Sequence, residues 1–262
     1  MSNGMQGDML SFKLAAIFVT LSLMTLGNPS SLASSSRECS SVRPVIREDS
    51  RQQFNWLGRI RYTRSAGEVW YPCSGVAITR RHVLVPAHCV LFLDKGDAYS
   101  FMVGNRRHAV SRIFIHPEYR LELPSYDVAV LKLNSQLRSC LSVSEDTDSH
   151  DVIARLFDVV STLVDKHPKS LHTLARVTGH QYCQRKYKDF ILSHNEICAY
   201  VHQDKDFLTG AALLGIEIVN GSEAWRLLGI STHGPYERNR KIPDIFTLIY
   251  PFNNWIGNIL SL

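Results

Sequence analysis

Beyond its first 33 residues the 262-residue chain lacks any apolar run close to the length, about 20 residues, that a membrane-crossing helix requires, so no membrane span is expected there. It has no Walker loop, no zinc-finger spacing and no recognisable nucleic-acid module, and these absences argue against nucleotide hydrolysis and nucleic-acid binding. No two cysteines stand at the two-residue separation that structural zinc sites favour. Neither a metal nor a cofactor is therefore expected. There is no internal repeat and no low-complexity tract, which excludes solenoids and propellers built from short repeats.

What is present points to the secretory route. Leu14 to Leu26 is apolar, follows Lys13, and leads through small polar residues to Ser31-Leu32-Ala33, which resembles a signal-peptidase site. Some thirteen apolar residues are too few to cross a bilayer. Residues 1–33 are accordingly expected to be a cleaved secretory signal and the mature protein to be extracellular. A Ser/Arg-rich N-terminal arm follows over residues 34–50, anchored only by Cys39, and the body occupies residues 51–262.

Six cysteines, Cys39, Cys73, Cys89, Cys140, Cys183 and Cys198, stand behind this leader, and an even count in an oxidising compartment predicts three disulfides. Counting alone does not choose the pairs. Asn220-Gly221-Ser222 is an N-glycosylation sequon, and Asn-Gly also favours a tight turn; it separates two apolar runs and is expected on an exposed hairpin tip. The formal net charge is +5. Arg106, Arg107 and the run Arg238 to Lys241 offer weak contacts to an acidic glycan or protein, although such runs also serve simply as solvated surface.

From Trp56 onward short apolar runs rich in β-branched and aromatic residues alternate with polar or Gly-containing turns, as at Gly75 to Ile78, His82 to Pro86, Ser111 to Ile115 and Val128 to Leu133. This spacing predicts an all-β antiparallel sandwich or barrel rather than βαβ units. Between Asp151 and His172 the reading divides: Val152, Leu156, Val159, Val160 and Leu163 fall near a helical period, while the β-branched content favours strand. At the C-terminus Pro251 suits a first helical turn, and Trp255, Ile256, Ile259 and Leu260 make one apolar face.

Five blocks, taken in order, resemble the trypsin/chymotrypsin family of serine proteases. They are Cys73-Ser-Gly-Val-Ala-Ile leading to Ala87-His88-Cys89; His116-Pro117-Glu-Tyr119 leading to Tyr126-Asp127-Val-Ala-Val-Leu; Cys183-x-x-x-Tyr187 running to Ile197-Cys198-Ala199; Leu228-Gly229-Ile230; and the closing Trp255-Ile256. The resemblance runs from about residue 54 to the end. It implies two packed antiparallel six-stranded β-barrels, the first ending near residue 147, with a cleft between them and a C-terminal helix. It also implies the pairings Cys73–Cys89, Cys183–Cys198 and Cys39–Cys140.

In that family a histidine takes the proton from a serine hydroxyl, a buried aspartate fixes the imidazole, and backbone amides stabilise the oxyanion. His88 and Asp127 occupy the first two positions. The family's Gly-Asp-Ser-Gly-Gly-Pro block falls on Phe207-Leu208-Thr209-Gly210-Ala211-Ala212, where one glycine alone is kept. Thr209 stands in the nucleophile's place, and its extra methyl restricts χ1 and crowds the attack path. Leu208 replaces the aspartate that, in the family, pairs with the N-terminus freed by activation cleavage, and no Ile-Val-Gly-Gly activation sequence occurs in the arm. Phe207 replaces the oxyanion-hole glycine.

The substrate pocket differs too. Gln203 stands where trypsin-like enzymes carry an aspartate, Thr232-His233-Gly234 replaces the substrate-facing Ser-Trp-Gly, and Asp244 takes the place of a pocket-wall glycine. The resemblance thus implies a secreted serine protease homologue with a degenerate catalytic site. Its expected role is non-catalytic binding or regulation of extracellular proteolysis, with a protein partner such as another protease or its substrate. A weakly active serine-type endopeptidase with a threonine nucleophile is the alternative.

Overall fold

The computed structural model describes Cys39 and residues 54–91, 97–123, 125–144, 153–160, 169–188, 191–202, 207–219, 221–234 and 242–262. Residues 1–33, expected to be a secretory leader, the rest of the arm, Gln203, Asn220 and the Arg238 to Lys241 run lie outside the described residues.

The first half forms β1 (Leu57–Thr63), β2 (Val69–Trp70), β3 (Ser74–Ala77), β4 (His82–Val85), β5 (Ala98–Val103), β6 (Arg106–Ile115) and β7 (Ala129–Leu133). Their order is β2-β1-β3-β4-β7-β6-β5, and β1 also pairs antiparallel with β5 through Ile60 opposite Phe101, so six strands close on themselves and β2 is a short flap on β1. The second half forms β8 (Ile153–Val160), β9 (Lys169–Thr178), helix α1 (His180–Lys186), β10 (Glu196–Val201), β11 (Ala212–Val219), β12 (Ser222–His233) and β13 (Asp244–Leu248). Its strands close in the order β10-β13-β12-β11-β8-β9. Closure removes the exposed edges on which other chains would pair. The fold is two six-stranded antiparallel barrels, as expected.

The described parts of the ambiguous segment, residues 153–160 and 169–172, form strand. β8 and β9 pair from Ile153 opposite Arg176 to Val160 opposite Lys169, and Leu156 and Phe157 are both buried because β8 has core on one side and the neighbouring barrel on the other. An apolar run buried on both faces does not alternate, which is why its pattern imitated a helix. Phe157 is the hinge of the packing. Its ring meets Phe54 edge-on at 5.0 Å and Trp225 at 6.0 Å, joining residues of both barrels in one core. Edge-to-face rings of this kind add about 1 kcal/mol beyond their burial.

A 3-10 turn at Tyr250–Phe252, with Pro251 inside it, leads into helix α2 (Asn253–Leu260). Ile256 and Ile259 are buried, and Trp255 and Leu260 pack against the same core. Trp255 and Phe252 close on the His116 ring at 4.9 and 5.1 Å, so the end of the chain returns to the first barrel. Three disulfides, Cys39–Cys140, Cys73–Cys89 and Cys183–Cys198, match the pairs that the resemblance implies.

Candidate functional site

His88 lies on a 3-10 turn, Ala87–Val90, that leaves β4. Asp127 sits immediately before Val128 and β7, and β4 and β7 are neighbours, so the pairing of Val85 with Ala129 brings the two residues together. Asp127 is 1% exposed. Its Oδ2 lies 2.6 Å from His88 Nδ1, and its Oδ1 accepts the His88 backbone N–H at 3.0 Å. Two bonds from one carboxylate fix both the ring and its turn. Tyr126, one residue earlier, has φ 60, a conformation that non-glycine residues rarely hold, and its ring stacks on His116 at 5.1 Å. The Asp127 carbonyl accepts from Thr247 Oγ1 at 3.2 Å, tying the site's floor to β13 of the second barrel.

On its other side His88 meets different chemistry. Its Nε2 lies 3.6 Å from the sulfur of Cys89, a weak acceptor within a disulfide. The His233 ring at the end of β12 stands 6.1 Å away. Burial holds the His233 imidazole below its ordinary value; Asp127 opposes that effect and His88 adds to it.

The loop bearing Thr209 approaches from the second barrel. Thr209 contributes its carbonyl, which accepts the Ser74 N–H at 2.7 Å; among the described residues its hydroxyl makes no hydrogen bond to His88. Gly210 follows with φ +88, and a Cβ there would lie 2.1 Å from the Ser74 carbonyl oxygen. The position therefore demands glycine on both conformational and steric grounds, which explains why Gly210 is the residue the block retains. The Gly210 N–H donates to the Ser231 carbonyl at 2.7 Å, and the Ala211 N–H to Ser231 Oγ at 3.0 Å.

A further residue organises this loop. Asp158 on β8 is fully buried, its Oδ2 accepts the Leu208 N–H at 2.5 Å, and its Oδ1 accepts the Ser74 hydroxyl. Arg59 on β1 is near enough to feel its charge: burial depresses the guanidinium, while Tyr71 and Asp158 both push it back up. One buried carboxylate thus joins the first barrel, the second barrel and the Phe207–Thr209 segment. In sequence Asp158 is a single acid in an apolar stretch, and only contacts 50 and 84 positions away give it meaning.

Thr232 is buried and its Oγ1 donates to the Ile245 carbonyl at 3.4 Å. Gly234 faces Asp244: an added Cβ would come within 2.7 Å of Asp244 Oδ1. Burial alone pushes the Asp244 carboxyl up to about 6. Phe207 packs, half-buried, against the second-barrel core. Among the described residues Cys73, His88 and Cys89 bring metal-ligand atoms within 4.8 Å of one another. The two sulfurs are bonded to each other, however, and a metal takes the free thiolate.

Two closed antiparallel barrels with a histidine–aspartate pair between strands β4 and β7, facing a loop from the second barrel, define a chymotrypsin-type serine protease domain. The comparisons agree. The family model "Trypsin" matches residues 45–256, and the chain belongs to that family. It is 23% identical over 78% of its length to CLIP domain-containing serine protease B9 of Anopheles gambiae, and it spans 59% of that relative. It is 24% identical over 72% of its length to human kallikrein-7, of which it covers 78%. Among solved structures, kallikrein-related peptidase 10 in complex with Zn2+ superposes with a TM-score of 0.63 at 18% identity, over 83% of this chain and 99% of the other. The chain thus spans about three fifths of the first of these relatives.

Proposed function

We propose that this protein is a secreted serine protease homologue that does not cleave peptide bonds and acts as a binding or regulatory protein in extracellular proteolysis. Residues 1–33 would be removed as a signal, residues 34–50 would form an arm held by Cys39, and Asn220 would carry a glycan. The observation that carries the reading is the bonding of the Phe207-Leu208-Thr209 segment. Leu208 cannot form the ion pair that orders the oxyanion hole in the family, its amide is taken by Asp158, and Thr209 makes no hydrogen bond to His88. Phe207 adds bulk where an oxyanion needs room, and loss of one oxyanion donor costs about 100- to 1000-fold in rate.

The decisive experiment exposes the purified mature protein to a fluorophosphonate probe and to a peptide library, beside Thr209→Ala. No labelling and no turnover are expected from either. Labelling or cleavage that disappears in Thr209→Ala would overturn the proposal.

The alternative, a weakly active endopeptidase with a threonine nucleophile, draws its support from the intact His88–Asp127 pair at 2.6 Å. That reading requires His88→Ala to abolish a measurable cleavage, and the same assay decides it.

A further inference from the structure

The strands of the first barrel carry their charge on one sign. β3, β4, β5, β6 and β7 contain no Asp or Glu, and neither do the turns at 78–81, 104–105 and 134–139. Arg80 and Arg81 occupy the β3–β4 turn; Arg106, Arg107 and Arg112 lie along β6; Lys132 is on β7 and Arg138 just beyond it. None of these seven cations belongs to an ion pair among the described residues, where the Lys and Arg bridges are Arg64–Glu68 and Arg226–Glu217.

The topology draws these residues together. Arg112, Lys132 and His82 stand opposite one another across β6, β7 and β4. The Arg80 carbonyl accepts the Leu137 N–H at 2.7 Å, and the Arg81 carbonyl accepts the Leu133 N–H at 2.8 Å, which fastens the Arg80–Arg81 turn to the segment that ends in Arg138. Arg107 Nε donates to Ser100 Oγ at 3.1 Å, so it lies flat on the sheet. Two histidines register the resulting field. His82 is held down to about 4 by burial and then by Lys132 and Arg81, and His108 is lowered by burial and then by Arg106.

At the edge of this surface the barrel end opens into a cavity of about 270 Å3, lined by Asn55, Asn105, Arg106, His108, Gln136 and Arg138 among others. Exposed guanidiniums on its rim suit bidentate contact with sulfate or carboxylate oxygens, and the amides suit hydroxyls. Among the described lining residues there is no Phe, Tyr or Trp, and His108 is the one ring, so the cavity lacks the series of aromatic platforms on which successive nucleic-acid bases stack. Among the described residues lining it there is also no belt of exposed apolar side chains with which a peripheral protein enters a membrane.

We propose that the open end of the first barrel is a binding site for a sulfated polysaccharide, with Arg106 and Arg138 gripping an anionic sugar unit in the cavity and Arg107, Arg112 and Lys132 extending the contact along the barrel. The site lies on the first barrel's strands and the turns beside them and is independent of whether the His88 centre is active.

The test titrates the disulfide-bonded mature protein with a heparin hexasaccharide by calorimetry at a series of salt concentrations. A fully desulfated hexasaccharide, an oligo-dT of equal charge and phosphatidylserine vesicles serve as competitors of different class. The expected result is binding of the sulfated sugar, weakened about tenfold or more in Arg106→Ser/Arg138→Ser. The slope of log affinity against log salt should become shallower by about 1.5 units in that variant. Arg185→Ser, on the second barrel, should bind as wild type, and unchanged thermal midpoints should show all variants folded. Equal affinity for the desulfated sugar, tighter binding of oligo-dT or vesicles, or an unaltered double variant would each overturn the assignment.

Discussion

Asp127 grips His88 at two points, the ring nitrogen at 2.6 Å and the backbone amide at 3.0 Å, and its own carbonyl is tied to Thr247 of the opposite barrel. In a working protease the first of these contacts serves proton transfer. The second gives the carboxylate a structural task that does not depend on catalysis. Asp127→Ala should therefore destabilise the fold by about 3 kcal/mol, because it leaves a partly buried N–H and an imidazole without their acceptor. His88→Ala, whose side chain is 32% exposed, should cost about 1 kcal/mol. Urea midpoints of the two variants decide it: equal losses would contradict this division.

Placing a serine at position 209 should not by itself confer peptide cleavage. Thr209→Ser removes the crowding methyl, yet on the proposed reading Phe207 still stands in place of the oxyanion glycine, and the Leu208 amide remains tied to Asp158. The expected outcome is no covalent labelling by a fluorophosphonate and no cleavage above background. Labelling of Thr209→Ser at a rate typical of active relatives would mean that the loop assembles an oxyanion site as it stands.

Much of this architecture was legible in the sequence because the family's landmarks are anchored by chemistry at fixed positions. Ala87-His88-Cys89 marks both a disulfide and a strand end, and Tyr126-Asp127 marks the entry to β7. β8 was not legible, since a strand buried on both faces shows no alternation and its apolar positions drift into a helical period. Asp158 was hidden for a different reason. Its partners, Leu208 and Ser74, belong to other strands and loops, and nothing local distinguishes it from a solvated acid until closure of the barrels brings them together. The His233 ring near His88 was likewise visible only as a departure from a motif, not as a neighbour.

Asp158 should govern the order of the Phe207–Thr209 loop in place of a cleavage-generated N-terminus. Asp158→Ala leaves the Leu208 N–H and the Ser74 hydroxyl without their acceptor in a fully buried position, a loss of about 3 kcal/mol. Amide exchange at Leu208 should accelerate far more than exchange in β13, which keeps its ladder with β12. Limited proteolysis of the arm, by contrast, should leave Leu208 exchange unchanged. A loop that becomes protected only after arm cleavage would show that the family's switch has been kept in another form.

A buried histidine and a half-buried carboxyl with opposed titrations should shape the acid stability of the molecule. The Asp244 carboxyl is pushed up to about 6 from an ordinary 3.8, so the folded state holds its proton more tightly than the unfolded chain, and its contribution to stability falls as pH rises from about 4 to about 6. His82 is held down to about 4 from an ordinary 6.5, so the unfolded chain takes the proton first, and its contribution is complete above pH 6.5 and disappears as pH falls toward 4. The two windows overlap, and the slopes offset one another in the wild type. Asp244→Asn should remove one side of the balance and leave a protein that loses stability steadily on acidification. His82→Gln should remove the other and leave one that gains stability over the same interval, each by on the order of 2 kcal/mol. Urea midpoints measured stepwise from pH about 7 to about 4 check this directly: parallel curves for the two variants would show that neither group carries the burial assigned to it.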